Sequence, residues 1–593
     1  MTPNGRARVE DTVNDVSVLY GTKLTGISAV IGKCQRAPKD YKTKLVGNWN
    51  EFRKWFGEEF ADSDFPTYCK RMLNAGAKIR VGTIHHYVDG VPQGTKATKQ
   101  WGHATFTAVS VGAWGNSVSL AKADARSGTA NKVDITVSFA GFPELTRVVR
   151  EITDPLYGQA TSAEIAKFNA ECEYLVMTSN TYSNGAIVTA TLGSAGSGYA
   201  INDTFTIATG STLATGKVLS VSTGAVATFT VLTAGAGYTT GSGKATTATI
   251  GSGTGLTINV TAVTSVPTSV TLATGAEDLS TVEDSDWVNS GEADGQGFRQ
   301  FDEATDFVRI AAPEVAIPIV DESLIAYVNA RKDCRAILRT PMYLSGTTAI
   351  TYREMTGDYD AMAGVPDTHM ASMVFGDIQV ADTLNGNGQK WIHGIADYMA
   401  KGGLKDTTDS KFMATAGAKR GKIKGVSSVF YNLATKPTEF DSVVNAGINP
   451  IIMDEDFGAV IWNNNTLQKS ATLLINEEIS EVLIYIRRNI NPLIKAEIFD
   501  PNDPILWSTV YKKCRPVLDT IKKGRGLRDF IWQGDQFADS VADCVVNSSE
   551  NLDAGEYKII LWLKPMNATK YVGYEVRITN SSVDFSSIGG QPE

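Results

Sequence analysis

Long apolar runs are missing from this chain. No stretch of about 18 consecutive apolar residues occurs among its 593 residues, so no membrane insertion is expected. The opening residues MTPNGRARVEDTVNDV are polar and lack the apolar core of a secretory signal. Histidine is scarce, with five residues. His85 and His86 are adjacent and cannot copy the i, i+4 pair of a helical zinc site. The six cysteines are scattered without a CxxC or zinc spacing, so buried, reduced thiols are expected. The phosphate loop GxxxxGK[ST], the dinucleotide turn GxGxxG and the nucleophile elbow GxSxG are all absent. Asp358, Asp360, Asp367 and the run Asp454 to Asp456 supply carboxylates, but nothing in the sequence sets two of them across a glycosidic bond. Asp382 to Gly388 has a calcium-loop flavour without the terminal Glu, and a polar turn is expected there. The chain therefore reads as no enzyme, with no cofactor and no metal. An excess of positive charge is also lacking. A formal charge of −9 gives no basic stripe for direct nucleic-acid binding, although Lys419, Arg420, Lys422 and Lys424 cluster in one loop suited to an acidic partner.

What is present is ordinary globular material, 42% hydrophobic and 20% charged, enough for several domains. The best-punctuated segment runs from Ile486 to Leu527. Asp503 is placed as an N-cap and Pro504 at the first helical position. Ile505, Leu506, Val510, Val517, Leu518 and Ile521 recur at helical spacing, and Gly524 suits a left-handed cap. Pro516 predicts a bend or a division of that helix. Lys522, Lys523, Arg525 and Arg528 form a basic turn at its end.

Upstream, a strand–helix–strand rhythm begins at Gly26. Strands are predicted over Ile27 to Ile31 and Lys78 to Ile84, and helices over Trp49 to Phe56 and Phe65 to Ala75. The rhythm resumes at Phe307, with strands over Val315 to Val320 and Ala336 to Arg339 around a helix Ser323 to Arg331, and later a helix Ala471 to Asn489. Between them residues 101–307 read as β-rich, with one helix, Thr161 to Cys172, opened by the capping box Thr161/Glu164. Inside lies a Gly/Thr/Ser-rich stretch, Asn184 to Gly275, whose only charged residues are Asp203, Lys217 and Lys244. Ala195-Gly-Ser-Gly-Tyr199 recurs about 39 residues later as Ala234-Gly-Ala-Gly-Tyr238, the mark of a repeated β unit. Residues 1–25 read as an arm in which Val13 to Tyr20, with Val16, Val18 and Tyr20 alternating, is either a strand that needs a sheet edge or a disordered tail, and 580–593, with Val583 and Phe585, read as a second terminal arm.

Several motifs occur in a fixed order: GISAVIGKCQRAP (Gly26 to Pro38), Trp49-Asn-Glu-Phe52 with Phe56-Gly57, Phe65 to Ile84, Gly112-Ala-Trp-Gly-Asn116, Ala312-Pro313, Arg335 to Pro341, Asn445 to Asn449, and Ala459 to Trp462 followed by Thr466-Leu467. This order, with the acidic-Asn-Pro step and Trp-bearing helix of the C-terminal segment, resembles the contractile tail sheath proteins. The likeness excludes Asn184 to Gly275, and Asn463 to Asn465 replace the family's usual small and basic residues. The resemblance implies an α+β multidomain protein: a discontinuous α/β core (26–100 and 308–480), a C-terminal α+β domain (481–579), inserted β-rich outer domains (101–307, with the 180–276 insertion) and terminal arms (1–25 and 580–593). It implies a homo-oligomer of stacked hexameric rings around a tail tube protein, with baseplate and tail terminator proteins as further partners. The expected place is a phage virion tail assembled in the host bacterial cytoplasm. It implies that the arms exchange strands between subunits and that the basic turn faces the tube. A bacterial contractile injection system is the alternative within the same family. A carbohydrate-binding or carbohydrate-active surface protein is the alternative of another class.

Overall fold

The computed structural model describes residues 26–88, 91–156, 158–182, 184–277, 279–288, 296–359, 365–386, 388–534, 547 and 554–569. Strand Ile27–Gly32 is buried at every position, as a strand covered on both faces must be. It sits within an eight-stranded sheet ordered Lys44–Val46, Lys78–Thr83, Ile27–Gly32, Arg309–Ala311, Arg335–Arg339, Ala371–Phe375, Ile448–Asp454, Gly458–Ile461. The six central strands are parallel and the two edge strands antiparallel. Ile27, Ala29 and Ile31 join one apolar layer with Val320, Leu324 and Val328 of helix Pro318–Arg331. Val30 joins the opposite layer with Phe52, Phe56, Tyr68 and Met399. Helices thus cover both faces in a doubly wound arrangement. Ser28 pairs with Arg309, so one sheet draws strands from both sides of the 101–307 segment.

That segment builds two further sheets around one core. One is ordered Arg147–Thr153, Lys132–Phe139, Val118–Asp124, Ser269–Thr271, the other Leu175–Ser179, Ala104–Ala108, Thr98–Trp101. Helix Ser162–Glu171 carries the predicted capping box in full. Between Leu175–Ser179 and Ser269–Thr271 the chain makes a six-stranded barrel-like sheet, ordered Ile187–Ser197, Thr254–Val263, Gly241–Ile250, Thr204–Ile207, Ala214–Ser222, Ala225–Thr233. Its end strands touch, with Ile187 N–H bonded to Ala234 O at 2.9 Å. The order is unchanged when the first three strands in sequence are exchanged with the last three, so the repeat folds as a pseudo-two-fold pair. Gly196 and Gly198 have φ of +61° and +77°, and Gly235 and Gly237 repeat both values. A Cβ on Gly196 would lie 2.5 Å from Thr254 O, and one on Gly235 2.5 Å from Thr212 O. Both tyrosines of the repeat are buried.

Several local expectations change. No strand forms at Val315 to Val320: Val315 to Ile317 are irregular and Pro318 opens helix Pro318–Arg331, while the neighbouring strand is Arg309–Ala311. Pro318 at the first turn makes that start natural. Helix Pro504–Lys523 is continuous through Pro516. Lys512 and Pro516 both lie on its exposed face, so the lost backbone bond falls on the water side. Gly524 has φ −77°, and the left-handed residue is Arg525 at +63°. The helix expected over Ala471 to Asn489 runs Glu477–Lys495, and strand Thr98–Trp101 crosses the expected 100/101 border.

Candidate functional site

Helix Pro504–Lys523 is started by Asp503, whose carboxylate accepts the Leu506 N–H at 2.8 Å. Val510, Cys514, Leu518 and Ile521 pack against Ile486, Ile490 and Leu493 of helix Glu477–Lys495. A two-stranded antiparallel ribbon, Leu527–Gln533 with Ile560–Pro565, rests on this pair. Trp532 is buried against the helices, while Ile560 and Trp562 are 45% and 59% exposed. Among the described residues, no further strand joins the ribbon.

A buried ion cluster fixes the first turns of helix Glu477–Lys495 to the main sheet. Arg309 meets Asp406 at 2.8 Å and also Glu481; Lys405 reaches Glu481 at 2.5 Å. Arg335 lies 2.9 Å from Glu477, whose carboxylate also accepts the Tyr398 hydroxyl. Gly402 makes room, since a Cβ there would come within 2.8 Å of Arg309 Nε. Burial pushes the Glu481 carboxyl up, but Arg309, Lys405 and Arg335 outweigh it and hold the group well below the usual carboxylate range. Three cations and three anions thus balance beneath one helix. In the sequence each of the six looks like a surface charge, and only the fold brings them together.

The basic turn is exposed at Lys522, Lys523, Arg525 and Arg528, and Lys522 is paired with Asp529 at 2.9 Å. The structure brings the 419–424 loop to it. Asp409 binds Arg420 at 2.6 Å and lies in the field of Lys419 and Arg525, and these hold its carboxyl below its ordinary value. Arg420 and Arg525 line one cavity of about 270 Å³. The arm residues Val13, Val16, Val18, Tyr20, Val583 and Phe585 lie outside the described residues.

The other sequence candidates are local structure. His85 is buried, and His86 Nδ1 lies 3.1 Å from Asp286. Asp382 accepts the N–H groups of Leu384 and Asn385, closing the predicted polar turn. In the repeat, Tyr199, Phe205 and Tyr238 are buried, and Phe229 sits half-buried edge-on to Phe205, so these four make no open stacking platform for a sugar. Among the described residues no helix is long and apolar enough to cross a membrane.

No protein-family model matches the chain. It is 22% identical over 293 residues to the tail sheath protein of Vibrio phage KVP40; the match covers 47% of this chain and 42% of the relative's length. Among solved structures, the sheath tail protein of Listeria innocua aligns over 91% of this chain and 95% of its own, with a TM-score of 0.52 at 13% identity. The chain has the tail sheath fold. A second sheath tail protein, from Desulfitobacterium hafniense, aligns over 90% of this chain and 93% of its own, with a TM-score of 0.45 at 12% identity. Within the sheath fold of this chain, the helix pair, its ribbon and the ion cluster beneath them form one continuous unit with the main sheet.

Proposed function

We propose that the chain is a structural subunit of a contractile phage tail sheath. Copies polymerise as stacked hexameric rings around a tail tube, and contraction drives the tube through the host envelope during genome delivery. The observation that carries this reading is the ribbon Leu527–Gln533/Ile560–Pro565, which no further strand joins among the described residues and which is mounted on a helix pair that buried charges tie to the main sheet. Such a ribbon accepts a strand on either edge without repacking a core. Val13, Val16, Val18 and Tyr20 of one copy, and Val583 and Phe585 of another, supply those strands. Each backbone bond formed contributes about 0.5–1.5 kcal/mol net, so a mesh of many joins holds while subunits turn. The work comes from new subunit contacts, a bistable packing change, and requires no catalytic group.

In this arrangement residues 26–100 and 308–480 with the C-terminal domain form the inner layer, and 101–307 projects outward. The basic turn faces an acidic tube surface, and baseplate and terminator proteins meet the two ends. The place of action is the virion tail, with assembly in the host bacterial cytoplasm.

Negative-stain microscopy of the purified chain tests this directly: tubes of uniform diameter are expected. Deletion of residues 1–22 is expected to leave a folded monomer that does not polymerise, and normal tubes from that truncation would rule out the arm exchange. Reversing charge at Lys522 and Lys523 is expected to weaken co-assembly with the tube; unchanged co-assembly would remove the turn from the contact.

A further inference from the structure

Arg36 is a buried cation with no buried anion beside it. It is 4% exposed. Its Nη2 donates to the carbonyls of Arg53 and Lys54, the latter at 2.7 Å, at the end of helix Trp49–Phe56. Its Nε has no hydrogen-bond partner among the described residues. Three rings surround the guanidinium carbon, Trp114 at 5.2 Å, Phe139 at 5.5 Å and Tyr174 at 5.1 Å. Among the described residues no carboxylate stands within ion-pair distance. Glu58, the acid whose field reaches it, is paired with Arg53, which also binds Glu144 at 2.8 Å. Burial draws the Arg36 pKa down to about 10, against the weaker opposing pull of Tyr174 and Glu58. A buried charge without a counter-ion is unfavourable, and here two carbonyls and three rings offset only part of that cost.

Arg36 is also among the residues lining a cavity of about 290 Å³, with Arg53, Trp114, Phe139, Phe142 and Leu145. That size is at the lower end of the roughly 300–1,000 Å³ typical of small-ligand pockets. Glu58 and Glu277 are also on its wall, but the first is held by Arg53 and the second accepts the Ala113 N–H at 3.0 Å.

We propose that this cavity, at the seam between the main sheet and the 101–307 segment, is a binding site for a small aromatic monocarboxylate. Arg36, which has no counter-ion among the described residues, balances one negative charge, and Arg53, the other cation on the wall, is held by Glu58 and Glu144, so no second free cation favours a dianion such as phosphate. The ligand's carboxylate meets the planar guanidinium, and its ring lies against Trp114, Phe139 and Phe142. Arg36 comes from the strand side and the three rings from the β-rich side, so the bound acid clamps the two together. The site does not depend on whether the chain polymerises.

Thermal unfolding of the full chain with 3-phenylpropionate, and with 3-phenylpropanol as the neutral control, tests the site. The acid at about 10 mM is expected to raise Tm by about 2 °C or more, and the alcohol to leave it unchanged. Arg36→Met is expected to abolish the response. Ala140→Trp, at an exposed position on the cavity wall, keeps Arg36 and is expected to abolish it as well, which covers the case in which Arg36→Met does not fold. No shift with the acid overturns the site. Equal shifts with acid and alcohol overturn the role of charge. A shift that survives Ala140→Trp places binding elsewhere.

Discussion

The main sheet buries Arg309, Arg335, Lys405, Asp406, Glu477 and Glu481 under a single helix, whereas the 187–263 barrel buries Asp203 alone among its charged side chains. The two regions obtain their definition by different means. In the main sheet, charges distant in sequence must meet, which pins one arrangement of helices on the strands. In the barrel, a short motif occurs twice, and small residues let backbones approach closely at both copies. The first device is global and fails as a unit. The second is local and repeated, and its ends are adjacent, with Gly185 N–H bonded to Thr264 O at 2.8 Å.

The sharpest way to break the contrast is to remove one cation of the cluster. Arg309→Met leaves Asp406 and Glu481 buried with too little positive charge, and is expected to destabilise the chain by about 3–5 kcal/mol, measured by urea unfolding. Excision of 185–264 with a short linker is expected to leave the main-sheet transition in place; its loss would make the barrel part of the same cooperative unit.

The next effect is on pH dependence. The folded Glu481 carboxyl lies below its unfolded value, so its contribution is present above about pH 4.5 and is lost as pH falls from there. Asp321 behaves oppositely. Burial raises its pKa to about 7, against the Tyr352 hydroxyl, which donates to it at 2.7 Å, and Arg339. The folded state therefore keeps a proton that the unfolded state releases, and stability declines as pH rises from about 4 to 7, by on the order of a few kcal/mol. Asp321→Asn is expected to flatten that decline in unfolding measured across the range. A decline unchanged by the substitution would assign it to another group.

Smaller effects separate the two copies of the barrel repeat. The Tyr238 hydroxyl accepts the Ala214 N–H at 2.8 Å and donates to Ile207 O, whereas the Tyr199 hydroxyl is buried without a partner among the described residues. Tyr238→Phe is expected to destabilise the barrel by about 1–3 kcal/mol. Tyr199→Phe is expected to be neutral or slightly stabilising. Hydrogen exchange of the barrel amides reads both; equal losses would show that the asymmetry has no energetic weight.

Local pattern was legible where local chemistry decides structure. Helix Trp49–Phe56 follows from Asn48, whose side chain accepts the Glu51 N–H, and from Phe52 and Phe56 one turn apart on its buried side. The Thr161/Glu164 box and the Asp503-Pro504 start were readable for the same reason. The strand at Arg309–Ala311 was not, because three residues carry no period and two of their neighbours in the sheet come from Ile27–Gly32 and Arg335–Arg339. The ion cluster was invisible, since Arg309 and Glu481 are 172 positions apart and acquire meaning only when burial removes water from both.

The sequence by itself determined the capped helix starts at Trp49, Ser162 and Pro504, the duplicated Gly-Tyr turns and the absence of a recognisable catalytic motif, since each depends on residues within a few positions of one another. Tertiary structure alone decided which charges are buried together, that Lys419 and Arg420 share a surface with Arg525, that Arg36 sits among three rings, and that Leu527–Gln533 and Ile560–Pro565 pair as a ribbon. Those features depend on solvent exclusion and on distances between segments far apart in the chain, which no local pattern encodes.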